Sequence, residues 1–99
     1  MTFGEAIEAL KVGDRVSRAG WRGAWAWLVL VPGSADLIAE AGKPMASVLP
    51  IGSKFNYLPH IDIATVQGTL APWVASHGDI LSEDWFVVES AHTDDAGAF

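Results

Sequence analysis

The stretch Tyr57 to Trp85, YLPHIDIATVQGTLAPWVASHGDILSEDW, holds a strand, a turn, a second strand closing on Pro72-Trp73 and a capped helical turn in one run. Alternation over Tyr57 to Ile63 and Thr69 to Trp73 predicts two strands joined across Ala64 to Gly68, where a glycine suits the turn. Ser76 followed by Asp79 is a capping signal of the acidic kind, and it predicts a short helix through Ser82. Trp85 to Glu89 then resumes as a final strand.

Working back from this stretch, Thr2 and Glu5 form a capping-box pair at the start of a helix. Phe3, Ala6, Ile7 and Leu10 follow at i, i+3, i+4 and i+7, which gives that helix one apolar face for the core, and Gly13 suits its end. Asp14 to Ala19 alternates as a short strand and breaks at Gly20-Trp21-Arg22-Gly23. The run AWAWLVLV from Ala24 to Val31 is apolar on both faces, so its strand is central or lies at an interface. Ser34 to Asn56 is punctuated by Gly42, Pro44, Pro50 and Gly52. It reads as a long excursion, with a possible helical turn at Ala35 to Glu40 and one short strand near Ala46 to Leu49. Its length makes it a candidate for lining a pocket or for an arm onto a neighbouring subunit, since unstructured loops this long are uncommon unless functional. The expected fold is α+β: a twisted, mainly antiparallel β-sheet with an N-terminal helix and a short C-terminal helix, in one domain over residues 1–89. Residues 90–99, small and acidic, read as a flexible tail.

Composition narrows the function. The chain has 99 residues, of which 51% are hydrophobic and five are Trp, enough for one core and in excess of what so small a core needs, which hints at a subunit interface. There is no Cys, so disulfides and thiolate metal sites are excluded. The segment MTFGEAIEAL lacks the basic start of a secretion signal, and the Ala24 to Pro32 apolar run is far below the roughly 20 residues of a membrane helix, so the expectation is a cytoplasmic protein. Net charge is −6, with Lys11, Arg15, Arg18, Arg22, Lys43 and Lys54 all preceding an acidic second half that has no Lys or Arg. That balance opposes binding to long nucleic acid, which requires a basic stripe, but two arginines suffice for a small anion.

The candidate chemistry is that of binding. His60/Asp62 and His77/Asp79 are His-x-Asp pairs, and in a strand His60 and Asp62 share a face, as an acid/base couple or two metal ligands would. No third ligand follows at a recognisable spacing, and Asp79 is accounted for as a helix-cap partner. No nucleophile elbow or phosphate-cradling loop is present, and Gly20 to Gly23 is too short for the latter. Trp21 in a turn and Trp73 beside Pro72 are poorly explained by alternation. They are either core or interface aromatics or stacking platforms for a purine. Arg18 and Arg22 flank Trp21, placed to meet a pyrophosphate or to pair with the acidic half. The N–H groups at the Ser76 helix start are a further anion site, with Asp79 as a competitor for it.

TFGEAIEALKVGDRVSRAGWRG, LVLVPGS and YLPHIDIATVQGTLAPWVASHGDILSEDWFVVE, in this order and at similar spacing, resemble the Thoeris anti-defense family of phage proteins, the second of its two sponge types. The likeness covers about two-thirds of the chain, and Ser34 to Asn56 matches no motif in it. It implies a non-enzymatic, cofactor-free, cytoplasmic homotetramer. Such a protein sequesters a cyclic ADP-ribose signal from a TIR-domain protein in pockets between protomers, and some members also bind cyclic dinucleotides. Trp21 falls in the AGW motif, while Asp62, Trp73, Ser76 and Asp79 fall in the HID and PWxAS...D motifs. On these positions residue chemistry assigns stacking to Trp21 or Trp73 and ribose contacts to Asp62, Ser76 and Asp79, and Arg18 and Arg22, flanking Trp21, complete the candidate ligand set. Two rivals from other classes are an enzyme degrading such a signal through His60 and Asp62, and an interaction module whose tryptophans are interface.

Overall fold

A computed structural model of the chain describes residues 1–21 and 26–89. The capping box forms as expected, with the Thr2 hydroxyl accepting from the Glu5 N–H and the Glu5 carboxylate accepting from the Thr2 N–H at 2.8 Å. Helix α1 (Phe3–Lys11) starts there and buries Ala6 and Leu10. These bonds hold the Glu5 carboxyl below the ordinary carboxylate range.

Strands β1 (Arg15–Arg18), β2 (Ala26–Val31), β5 (His60–Thr65), β6 (Leu70–Pro72) and β7 (Trp85–Val88) make one sheet in the order β6-β5-β2-β1-β7, antiparallel throughout. The fold is therefore α+β, with β2 in the centre as its doubly apolar run predicts. Ala24 and Trp25, at the start of that run, lie outside the described residues, as do residues 90–99.

Register divides the side chains between two faces. Val16 pairs with Leu28 and Leu28 with Ile63, so these three point the same way, toward α1. Ala6, Leu10, Val16, Leu28 and Trp85 form the core there. Trp27, Val29, Ala64, Asp62 and His60 occupy the far face by the same alternation. On that face the Arg15 guanidinium lies 5.1 Å from the Trp27 ring centroid, and the buried Ser17 hydroxyl donates to the Ala26 carbonyl at 2.8 Å.

Three expectations need correction, all in or beside the Pro/Gly-rich excursion. Ala35 to Glu40 is not a helical turn: its first four residues belong to strand β3 (Ser34–Ile38), which pairs with β4 (Lys54–Tyr57) in a separate two-stranded ribbon. The expected strand near Ala46 to Leu49 is instead a 3₁₀ turn, Pro44–Ser47, where Pro44 fixes φ at the start and its carbonyl accepts from the Ser47 hydroxyl at 2.7 Å. Tyr57 closes β4, while β5 begins at His60 after Pro59 interrupts the ladder. The ribbon carries a bulge between Ser34 and Leu37, where Asp36 takes a positive φ of 58° and its N–H finds the Asn56 side-chain oxygen at 2.9 Å. Gly33 permits the close approach that joins ribbon to sheet, because a Cβ there would meet the Tyr57 carbonyl and Pro59. Beyond that junction β3 and β4 pack chiefly on each other, leaving Ile38, Val48 and Ile51 exposed.

The core predicts a sharp contrast between two truncations. Leu28→Ala removes a fully buried side chain and should cost about 2–5 kcal/mol in urea denaturation. Val48→Ala, on the ribbon side and 70% exposed, should change stability by less than about 0.5 kcal/mol.

Candidate functional site

Two short elements bring most of the predicted residues together. Directly after β1 the chain makes one 3₁₀ turn, Ala19–Trp21, and after β6 it runs through Trp73 to helix α2 (His77–Leu81). Ser76 caps α2 as expected: its hydroxyl accepts from the Asp79 N–H at 3.1 Å, and the Asp79 carboxylate accepts from the Ser76 N–H at 2.9 Å. The cap turns Asp79 inward, where it is 8% exposed.

Asp79 is the node of the site. One carboxylate oxygen accepts from Arg18 Nη1 at 2.8 Å, and the other accepts from the Ser76 N–H and hydroxyl, each at 2.9 Å. The Trp21 side chain donates a further hydrogen bond to it. Burial pushes the Asp79 carboxyl up, but the bonds from Ser76, Arg18 and Trp21 outweigh it and hold the group below the ordinary carboxylate range. Arg18 also reaches Asp84, Nε to Oδ1 at 2.9 Å, and so is engaged by two carboxylates. The Arg18 hydrogen bond is the main cause that lowers Asp84, and Asp84 with Asp79 raises Arg18 above its already high value.

Above this polar layer lie four aromatic rings. Trp85 is buried, and its indole N–H donates to the Asp79 carbonyl at 3.0 Å. Phe3 and Trp21 each lie 5.4 Å from it between centroids and Trp73 lies 6.2 Å away, with Trp21 and Trp73 themselves 6.3 Å apart and edge to face. Trp21 and Trp73 keep intermediate exposure, so each packs on the core while offering part of its surface outward.

The structure thus gathers Arg18, Trp21, Trp73, Ser76 and Asp79 on the α1 side of the sheet. Asp62 does not join them. It projects from the far face opposite Val29 and Pro72, with Oδ1 buried, unmatched by a hydrogen bond and 3.5 Å from His60 Nε2. Arg22 lies outside the described residues, and His77 is exposed at the start of α2. Among the described residues no group of three or more His, Asp or Glu is placed to hold a metal, and no helix is long and apolar enough to cross a membrane.

Two residues of the site escaped sequence reasoning: Asp84 and the central Trp85. The available signal was charge segregation, since an arginine in the basic half needs partners and the acidic half supplies them. A concavity of about 310 Å³ lies on the ribbon between Leu37, Lys43, Met45, Phe55 and Tyr57. Phe55 and Tyr57 meet there edge to face at 5.5 Å.

Fold and site together define a small α+β domain with a braced, partly exposed tryptophan wall. A family model described as the Thoeris anti-defense 2-like domain matches residues 1–88. The chain belongs to this anti-defense family. It is also 36% identical over 90 residues to "Thoeris anti-defense 2" of Bacillus phage SP01, an alignment that covers 89% of this chain and 94% of the phage protein.

Acid should dismantle the site in a defined direction. Asp79 and Asp84 are both lowered in the folded protein, so their stabilisation is complete above about pH 4, the ordinary carboxylate value, and is lost as pH falls through the folded values. Urea denaturation from pH 6 to pH 2 should therefore give a flatter stability profile for Asp79→Asn than for the wild type. Asp79→Ala leaves Arg18 with one carboxylate and should cost about 2–4 kcal/mol at pH 7.

Proposed function

We propose that the chain is an anti-defense sponge: it binds the cyclic ADP-ribose signal of a TIR-domain Thoeris protein, glycocyclic ADP-ribose, and releases it unaltered. The observation that carries this reading is the tryptophan wall, with Trp21 and Trp73 half-buried side by side and braced from behind by Asp79. Partly exposed indoles suit the adenine ring, because a base stacks on an aromatic surface whatever its other groups. Such a site needs tight binding and no activated nucleophile.

In this reading the polar residues divide into contacts and supports. Arg18 and Asp79 hold the wall, since their polar atoms already bond within the chain. Arg22 meets the pyrophosphate. Ser76 is exposed and keeps one hydroxyl lone pair for a ribose hydroxyl. Asp62, on the far face, reaches the ligand only when a second copy supplies it, so the complete pocket lies between protomers of a homotetramer in the host cytoplasm. Exposed Leu58, Val66 and Leu70 support burial against another copy. Cyclic dinucleotides are a second ligand class for the same oligomer.

Calorimetric titration with glycocyclic ADP-ribose should give one strong transition, and heat-released ligand should elute unchanged on chromatography. Altered ligand would instead establish the enzyme that uses His60 and Asp62. Trp21→Ala should weaken binding roughly 10- to 100-fold, from about 1–3 kcal/mol of lost stacking, without changing the oligomer. A variant that dissociates while keeping its affinity per protomer would make Trp21 an interface residue.

A further inference from the structure

We propose that Asp84 is a positioning residue for Trp21, setting the orientation in which that indole meets its ligand. The proposal rests on the reading of Trp21 as a stacking platform, and the observations that carry it are backbone geometry around the 3₁₀ turn. Asp84 reaches all three consecutive residues leading into Trp21, sharing Arg18 with Asp79. Its carboxylate accepts from Arg18 Nε at 2.9 Å and from the Gly20 N–H at 2.8 Å, and its carbonyl accepts from the Ala19 N–H at 3.1 Å. A single 3₁₀ turn has little hydrogen bonding of its own, so these external bonds decide where it points.

Gly20 records the same constraint. A Cβ at this position would sit 2.9 Å from Asp84 Oδ2 and 3.2 Å from Arg18 Nη2. A side chain here would push the carboxylate away from the Gly20 N–H that it accepts from. From the other side, Asp84 precedes Trp85, whose ring packs against Trp21 at 5.4 Å with planes 76° apart. The dipeptide Asp84-Trp85 thus fixes both the backbone leading into Trp21 and the surface on which its ring rests. The hydrogen bond that the Trp21 side chain donates to Asp79 is a further tie on the same residue.

Asp84 touches no ligand in this scheme, so its effect must be read on Trp21 itself. The experiment pairs the indole ¹H–¹⁵N resonance of Trp21, assigned through Trp21→Phe, with calorimetric affinity for glycocyclic ADP-ribose. It uses the full-length wild type, Asp84→Ala, Asp84→Asn and the neighbouring control Glu83→Gln. Asp84→Ala should displace the Trp21 resonance in the ligand-free protein and weaken binding about tenfold or more, as a misplaced stacking surface would. Asp84→Asn keeps the shape and one acceptor oxygen, so it should shift both readouts less, and it carries the test if the alanine variant does not fold. Glu83→Gln should change neither. The proposal is overturned if Trp21 keeps its resonance in both Asp84 variants, or if the resonance moves while affinity stays at the wild-type value. Absence of binding by the wild type would overturn the stacking role of Trp21 and this proposal with it. That result is distinct, because the Asp84 variants would then be judged against no affinity at all.

Discussion

The Arg18 guanidinium ties the end of β1 at once to α2 and to the residue before β7. It leaves the end of β1 and reaches Asp79 in α2 and Asp84 just before the buried Trp85 of β7. Removing charges from water is costly, and an ion pair of this kind adds little net stability compared with a well-packed apolar replacement. Its contribution is geometric. With two carboxylates, a helix cap and two indoles satisfied by one another, few alternative arrangements leave every polar atom bonded.

That polar layer explains how tryptophans can remain partly exposed without collapsing. A Trp at a strand end tends to fold onto the nearest apolar surface, and here that surface is Trp85, already held by its own bond to the Asp79 carbonyl. Trp21 and Trp73 pack against it at an angle, so the wall is stiff and its outer parts stay available. A stiff site loses less entropy on binding, which suits the retention that the proposed sponge role requires. The ribbon of β3 and β4 is built on the opposite plan, with exposed apolar residues and few ties to the sheet.

Reading the chain without its fold succeeded where a feature is local. Both capping boxes, the apolar stripe of α1, and the strands of the sheet follow from residues a few positions apart, and all are present. The reading failed at Ser34 to Asn56, where Pro and Gly mask a ribbon whose pairing links Ser34 with Tyr57 and whose bulge depends on a distant asparagine. It also missed Asp84, because no local pattern marks a carboxylate that binds a backbone N–H 64 positions earlier.

The sequence by itself determined the class of fold, the apolar character of both faces of β2 and the family, because periodicity, capping and motif order all act over short spans. Tertiary structure alone decided which predicted site residues share a surface. Arg18, Trp21, Trp73, Ser76 and Asp79 converge, whereas Asp62 turns to the other face, since a strand alternates its side chains and only the register with β2 says which face meets the helix. It also decided that Arg18 and Asp79 bond to each other, a pairing across 61 residues that only the packing of α2 beside the end of β1 creates.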